Sequence, residues 1–314
     1  MVPSADRRLQ RAQVAETFAR EQGGVVHRAQ LRSRGIIGKD VAAEVRAGRW
    51  QLFNRHTVRV LSVPGELTGR WWWAVWESGT GAVLDGQSAL LAAGLTGFEA
   101  SATHVLLPRA ANKSALDGVR TRRTRNMPAL ASTTGPPRVE PVAATLRAAE
   151  TASSERQAAL LICLPIQQRI VRPDDLLAAW REWPRRSRCP ELGGVVADVC
   201  DGAHSLGELD FAAICREANV PAPSRQVVRV GDNGRAYLDA MWKDVNLAAE
   251  IDGSHHGLGL SPITDAIRTN DGVLRGEATL RYPLLALRLA RREVGDQIAC
   301  AYWSRRMAQR GPST

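Results

Sequence analysis

The stretch YLDAMWKDVNLAAEIDGSHH, Tyr237 to His256, places Asp239, Glu250 and Asp252 in segments that otherwise read as β-strand. Side chains alternate along a strand. In AYLDAMW this puts Tyr237, Asp239 and Met241 on one face. In LAAEID it puts Ala248, Glu250 and Asp252 on one face and Leu247, Ala249 and Ile251 on the other. KDVN between them reads as a turn, so the two strands are expected to be neighbours, with Asp239 near Glu250 and Asp252 one strand step away. Carboxylates that close repel, and the arrangement needs a cation, a proton or a basic partner. Mg2+ (or Mn2+) takes oxygen ligands. Held there, it would polarise a phosphodiester, orient a water and neutralise the leaving oxygen. The chemistry these residues predict is metal-assisted hydrolysis. The competing reading is that Glu250 and Asp252 only cap a loop.

The segments around the acids read as follows. HSLGELDFAAICREANVPAP is a helix closed by a Pro-containing turn, SRQVVRVG a strand, and DNGR a hairpin turn. After the two acidic strands, SPITDAIRTNDGVLRGEA reads as a helix and RYPLLALRLA as a strand. A last helix is expected from near Glu293 to about Met307. Helix, three meandering strands, helix, strand and helix predict an α/β domain, a small mixed sheet flanked by helices.

With these pieces in order, residues 204 to 290 resemble the PD-(D/E)XK nuclease superfamily, in its restriction-endonuclease-like branch of unknown function related to very-short-patch-repair endonucleases. SLGELDF matches the family's S-x-x-E-x-x-F helix, VPAPSRQ its Pro-containing turn, YLDAMW its D-x-x-W strand, and AAEIDGSHH its E-hydrophobic-D-G segment ending in His. The resemblance implies that Asp239 is the principal metal ligand and Glu250 the second. It puts Asp252 where many superfamily members have a catalytic Lys. It also implies that Glu208 binds metal or orients a water, that His256 serves as acid, base or phosphate contact, and that Arg268 contacts phosphate or pairs with the acids. The chain departs from the family in two places: RGEATLRYPLLALR has no Gly-aromatic pair before its strand, and no Lys follows Glu250. Lys243 stands on a different strand position.

At the other end, residues 5 to 20 read as a helix with Leu9, Val14, Ala15 and Phe18 on one side, ended by Gly23 and Gly24. VVHRAQLRSRG gives a second, short helix. Asp40 can cap a third, with Val41, Ala42 and Val45 inward and Gly48 as its stop. WQLFNRHTVRVLSV alternates like a hairpin. Three short helices and a β-ribbon predict a winged helix-turn-helix. GGVVHRAQLRSRGI and VRAGRWQLFNRHTVRV resemble the N-terminal module of abortive-infection type IV antitoxins. That resemblance implies that Lys39, Arg46 and Arg49 approach phosphates or groove edges. The alternative is solvated charge on a protein-docking domain.

Between the two lies a mostly helical region, so the expected division is 1–65, 66–195 and 196–314. Trp72, Trp73 and Trp76 in GRWWWAVWES fall at helical spacing, which predicts core. AVLDGQSALLAAGL reads as an amphipathic helix, THVLLPR as a strand, and PVAATLRAAETASSERQAALLICLPIQQRI as strongly helical. GVRTRRTRNMPALASTTGPPR reads as a basic hairpin against nucleic acid or as a loop.

The 314 residues carry a formal net charge of +10, and nearly all the basic residues are Arg rather than Lys. That balance favours a polyanionic partner, nucleic acid first. The five cysteines are scattered and form no C-x-x-C pair, which disfavours zinc and disulfides alike. The N-terminus lacks an apolar signal core and no stretch reaches membrane-spanning length, so a cytoplasmic protein without membrane contact is expected. The readings carried forward are a Mg2+-dependent DNA endonuclease and a non-catalytic, antitoxin-like DNA-binding regulator. A protein partner or homodimer is left open.

Overall fold

The computed structural model describes residues 4–111, 115–131, 134–184, 189–200, 211–230, 236–252 and 279–310. They form a mixed α/β protein that divides into two compact units, Met1–Arg147 and Ala148–Thr314. The division falls within a helix, whereas the sequence suggested boundaries at 65/66 and 195/196. No described helix is long and apolar enough to cross a membrane.

The first unit opens with α1 (Ser4–Glu21), β1 (Val25–His27), α2 (Arg28–Ser33), α3 (Gly38–Arg46), β2 (Trp50–Phe53) and β3 (Thr57–Val60). The strands form an antiparallel sheet of order β1-β3-β2. Ala15, Ala19, Val26, Leu31, Ile36, Val41, Trp50 and Val58 fill the core beneath it. Three details differ from the sequence reading. VVH is a strand rather than the start of a helix, because its β-branched pair is buried against β3. His27 then caps α2, its Nδ1 accepting the Ala29 N–H at 3.0 Å while Gln30 Oε1 accepts the His27 N–H at 2.9 Å. Leu9 is 59% exposed and Ala42 is exposed, so neither faces inward; Ala19 takes the core position on α1. Asp40 lies inside the first turn of α3 and accepts the Ile37 N–H at 3.1 Å, capping from within rather than from ahead of the helix.

Helix α4 (Leu67–Ser78) packs on β1 and β3. Gly23, with φ +62°, and Gly69 meet backbone to backbone, and a Cβ on either would strike the other's main chain. Near the helix's end, Glu77 is only 5% exposed. It accepts the backbone N–H groups of Arg55 (3.1 Å), His56 (2.6 Å) and Thr57 (2.8 Å) and the Thr57 hydroxyl (2.8 Å). These donors belong to the β2–β3 turn, in which Asn54 has φ 56°, and to the first residue of β3. The tryptophans of α4 are half-buried rather than core; Ala74, Val75 and Glu77 hold the buried side.

The unit continues with β4 (Val83–Leu84), α5 (Gly86–Ala92), β5 (Thr103–Pro108), β6 (Val119–Thr124) and α6 (Pro141–Glu150). The sheet order is β4-β5-β6, with β4–β5 antiparallel and β5–β6 parallel. The basic segment read as a hairpin or loop therefore contains a strand, β6, whose partner comes from residues 103–108. Asp85 caps α5 and binds the Arg147 guanidinium, with Nη2 2.7 Å from Oδ2.

In the second unit, the helical run from residue 141 is broken at Ser154, which caps α7 (Glu155–Gln167). Next come α8 (Pro173–Glu182), α9 (Cys189–Cys200) and α10 (Phe211–Glu217). Strands β7 (Arg225–Val230), β8 (Ala236–Trp242), β9 (Leu247–Asp252) and β10 (Thr279–Pro283) follow, then α11 (Leu284–Leu289) and α12 (Arg291–Arg310). RYPLLALRLA is thus half strand and half helix, with Pro283 as the N-cap of α11. The sheet order is β10-β9-β8-β7, antiparallel except for the parallel β9–β10 pair. One face is buried through Ala240, Trp242, Leu247, Ala249, Ile251, Leu280 and Tyr282. Trp242 sits between Phe211 and Tyr302, and its Nε1–H is donated to the Pro221 carbonyl at 2.7 Å. Arg288 holds Asp198 with two bonds, 2.6 and 3.0 Å.

Removing Glu77 strands three buried or half-buried N–H groups at once. Glu77→Ala is expected to cost about 3 kcal/mol or more in chemical denaturation, and Glu77→Gln, which keeps one acceptor oxygen, clearly less. Equal, small losses in both would show that the turn does not depend on this carboxylate.

Candidate functional site

The strand register brings the acids into a row. Asp239 is the direct cross-strand partner of Glu250, and Tyr237 that of Asp252. Directly opposite residues share a face of the sheet. The buried alternation Leu247, Ala249, Ile251 puts Glu250 on the opposite, more open face. On β10 the pattern repeats: Leu280 and Tyr282 are buried, and Arg281 between them is exposed. Arg281 pairs in register with Glu250 from the other side, so Asp239, Glu250 and Arg281 stand in line across three strands. The Arg281 Nε–H is donated to Glu250 Oε2 at 3.1 Å, with the two side chains 73% and 43% exposed.

Glu208, His256 and Arg268 lie outside the described residues. Lys243 sits in the exposed turn after β8, where its backbone N–H reaches Ser224 Oγ at 3.3 Å. Asp244 beside it is taken up structurally, accepting the Tyr302 hydroxyl at 2.6 Å with Arg306 at 3.6 Å. Among the described residues no three His, Cys, Asp or Glu side chains form a metal-ligand group. Glu250 offers half-exposed carboxylate oxygens, and the register sets Asp239 directly across from it. That donor set suits a hard, largely hydrated ion, which takes one or two protein carboxylates and fills its remaining positions with water and phosphate. Asp239 and Glu250 are the residues that would hold it.

The cations expected to meet nucleic acid divide into two kinds. Lys39 and Arg46 are exposed and seven residues apart on α3, hence on one stripe, with exposed Ala42 between them. Arg49 is already engaged: its Nε–H is donated to Glu44 Oε2 at 2.6 Å. Glu44, 2% exposed, also accepts from Arg11 Nη2 at 3.1 Å, and Arg11 Nη1 reaches Asp40 at 2.7 Å. Arg49 therefore helps to lock α3 in place. A second basic element is β6, VRTRRT, at the end of its sheet with Arg120 and Arg123 exposed.

A cavity of about 640 Å³ opens beside α4, lined by His27, Arg55, His56, Trp76 and Glu77 among others. His27 and His56 stack in parallel with ring centres 5.6 Å apart, and Trp76 meets His27 edge-on. Burial, then the neighbouring His56, holds the His27 imidazole below its ordinary pKa, with Glu77 pulling partly the other way. His104 is also lowered, by burial and then by Arg120, against the pull of Asp85. In the second unit, burial pushes the Cys163 thiol up to about 12, which makes it a packing residue and no nucleophile.

No family model matches the chain, and no curated protein matches it in sequence.

A histidine whose folded pKa is depressed refuses a proton that the unfolded chain accepts. Stability is therefore full above the ordinary value of 6.5 and falls as the pH drops below it. The thermal midpoint of the first unit is expected to decline as the pH drops below about 6.5, and less steeply in a His27→Gln, His104→Gln variant. An identical decline in that variant would assign the pH dependence to other groups.

Proposed function

We propose that the protein is a metal-dependent DNA endonuclease that hydrolyses phosphodiester bonds, acting in DNA repair or phage defence within the cytoplasm. The observation that carries this reading is the register that sets Asp239 opposite Glu250, with Asp252 two residues further along the same strand and the Glu250 side chain half-exposed. On this reading the second unit contains a restriction-endonuclease-like domain, and the element order α1-β1-α2-α3-β2-β3 is a winged helix-turn-helix. The exposed Lys39–Arg46 stripe supports α3 as the DNA-facing helix of that module. The arginines of β6 would add phosphate contacts. A bound Mg2+ or Mn2+ would polarise the phosphate and lower the pKa of an attacking water. Asp239 and Glu250 would orient that ion, and the open face would give a duplex access to it.

One observation favours the second reading, a non-catalytic, antitoxin-like DNA-binding regulator. Glu250 already has a cation beside it in Arg281, so the row does not need a metal to be electrostatically tolerable.

Plasmid nicking separates the two. The endonuclease reading expects cleavage in Mg2+ or Mn2+ that falls by about 100-fold or more in Asp239→Ala and in Glu250→Ala. Cleavage that survives both substitutions, or none in any divalent ion alongside firm DNA binding, would overturn it in favour of a contaminant or the regulator respectively. Under either reading, Lys39→Ala with Arg46→Ala is expected to weaken DNA binding and to lower its salt slope by about one for each phosphate no longer neutralised. An unchanged slope would remove α3 from the interface.

A further inference from the structure

We infer that Arg281 is the phosphate-holding cation of the Asp239–Glu250 site, exchanging Glu250 for a phosphodiester oxygen when the nucleic acid and its divalent ion arrive. The inference rests on the endonuclease reading of that site.

The position of Arg281 follows from backbone register alone: it is the β10 partner of Glu250, as Asp239 is the β8 partner. Its neighbours Leu280 and Tyr282 are buried on the far face, which turns Arg281 toward the acids' side. Its bond to Glu250 is of a kind that exchanges readily. An ion pair this open to water contributes little net stability, because water solvates both partners almost as well. A more enclosed pair stands in the same unit. Arg288 grips Asp198 through two nitrogens, the Asp198 side chain is 1% exposed, and the guanidinium lies close over Gly194.

Strand β9, LAAEID, carries no cation, and GSHH after it carries no Lys. A phosphate drawn to this row needs a positive group besides a metal ion, and Arg281 is in line with the acids. A guanidinium is permanently charged, and its planar fork suits a tetrahedral oxyanion. It cannot act as a proton acceptor. Its role would be to hold and neutralise the phosphate, and any proton from the attacking water would go elsewhere.

The test uses the full chain as wild type, Arg281→Ala and Arg281→Lys, with thermal unfolding to verify that all three are folded. Titration calorimetry with Mn2+ alone reads the competition for Glu250. DNA binding in Ca2+ reads the phosphate contact, and single-turnover cleavage in Mg2+ reads the reaction. Arg281→Ala is expected to bind Mn2+ several-fold more tightly, since the ion no longer displaces a guanidinium. It should bind DNA about 10-fold more weakly, with a salt slope smaller by about one. Its cleavage should fall in parallel, and Arg281→Lys should recover most of the DNA binding. Unchanged or weaker Mn2+ binding together with an unchanged salt slope would overturn the inference and leave Arg281 a surface partner of Glu250. If the wild type cleaves and Arg281→Ala cleaves as fast, only the role of Arg281 falls. If the wild type neither binds Mn2+ nor cleaves, the endonuclease reading falls and takes this inference with it.

Discussion

A carboxylate removed from water must find donors inside the protein, and that demand organises both units. Glu77 answers it with three backbone N–H groups and a hydroxyl from one tight turn. Glu44 answers it with Arg11 and Arg49, Asp85 with Arg147 and the Gly86 N–H, and Asp198 with both arms of Arg288. Each of these acids ties together segments distant in the chain. Glu77 fixes the hairpin turn to α4, and Glu44 with Asp40 fixes α3 to α1 through a single arginine. Backbone contact between Gly23 and Gly69 reinforces the first of these joints, because neither residue has a side chain to hold the main chains apart.

Glu250 is an acid of another sort. It is half-exposed, its guanidinium partner is more exposed still, and its neighbour in register is a second acid. The buried acids are satisfied to the point that nothing else can use them. Glu250 keeps nearly half of its side chain exposed beside a still more exposed guanidinium, and this difference in environment separates the framework acids from one available for chemistry.

The two acidic strands were legible in the sequence because they are joined by a short turn and alternate cleanly. Pattern alone fixed which residues face which way, and Asp239 opposite Glu250 follows from it. Arg281 was not legible. It meets Glu250 through a parallel pairing between segments far apart in sequence, and no local pattern encodes that register. RYPLLALRLA misled for a related reason: a short apolar run suits a buried strand and a buried helix equally, and only Pro283 marks the change. No local pattern marks Glu44 and Glu77 as buried, because the burial of an acid depends on donors supplied from elsewhere. Leu9 and Ala42 erred in the opposite sense, their apolar character suggesting a packed face where the helix turns outward.

Strand β6 has a consequence for behaviour in solution. It ends its sheet, and no other described strand pairs with its outer side. An unpaired strand border is a template on which a second copy of a chain can add itself. VRTRRT lines that border with like charges, so two such edges repel before their backbones can bond. Like charges along such a border disfavour edge-to-edge pairing between copies, and a partner that neutralises these arginines removes that repulsion while it is bound.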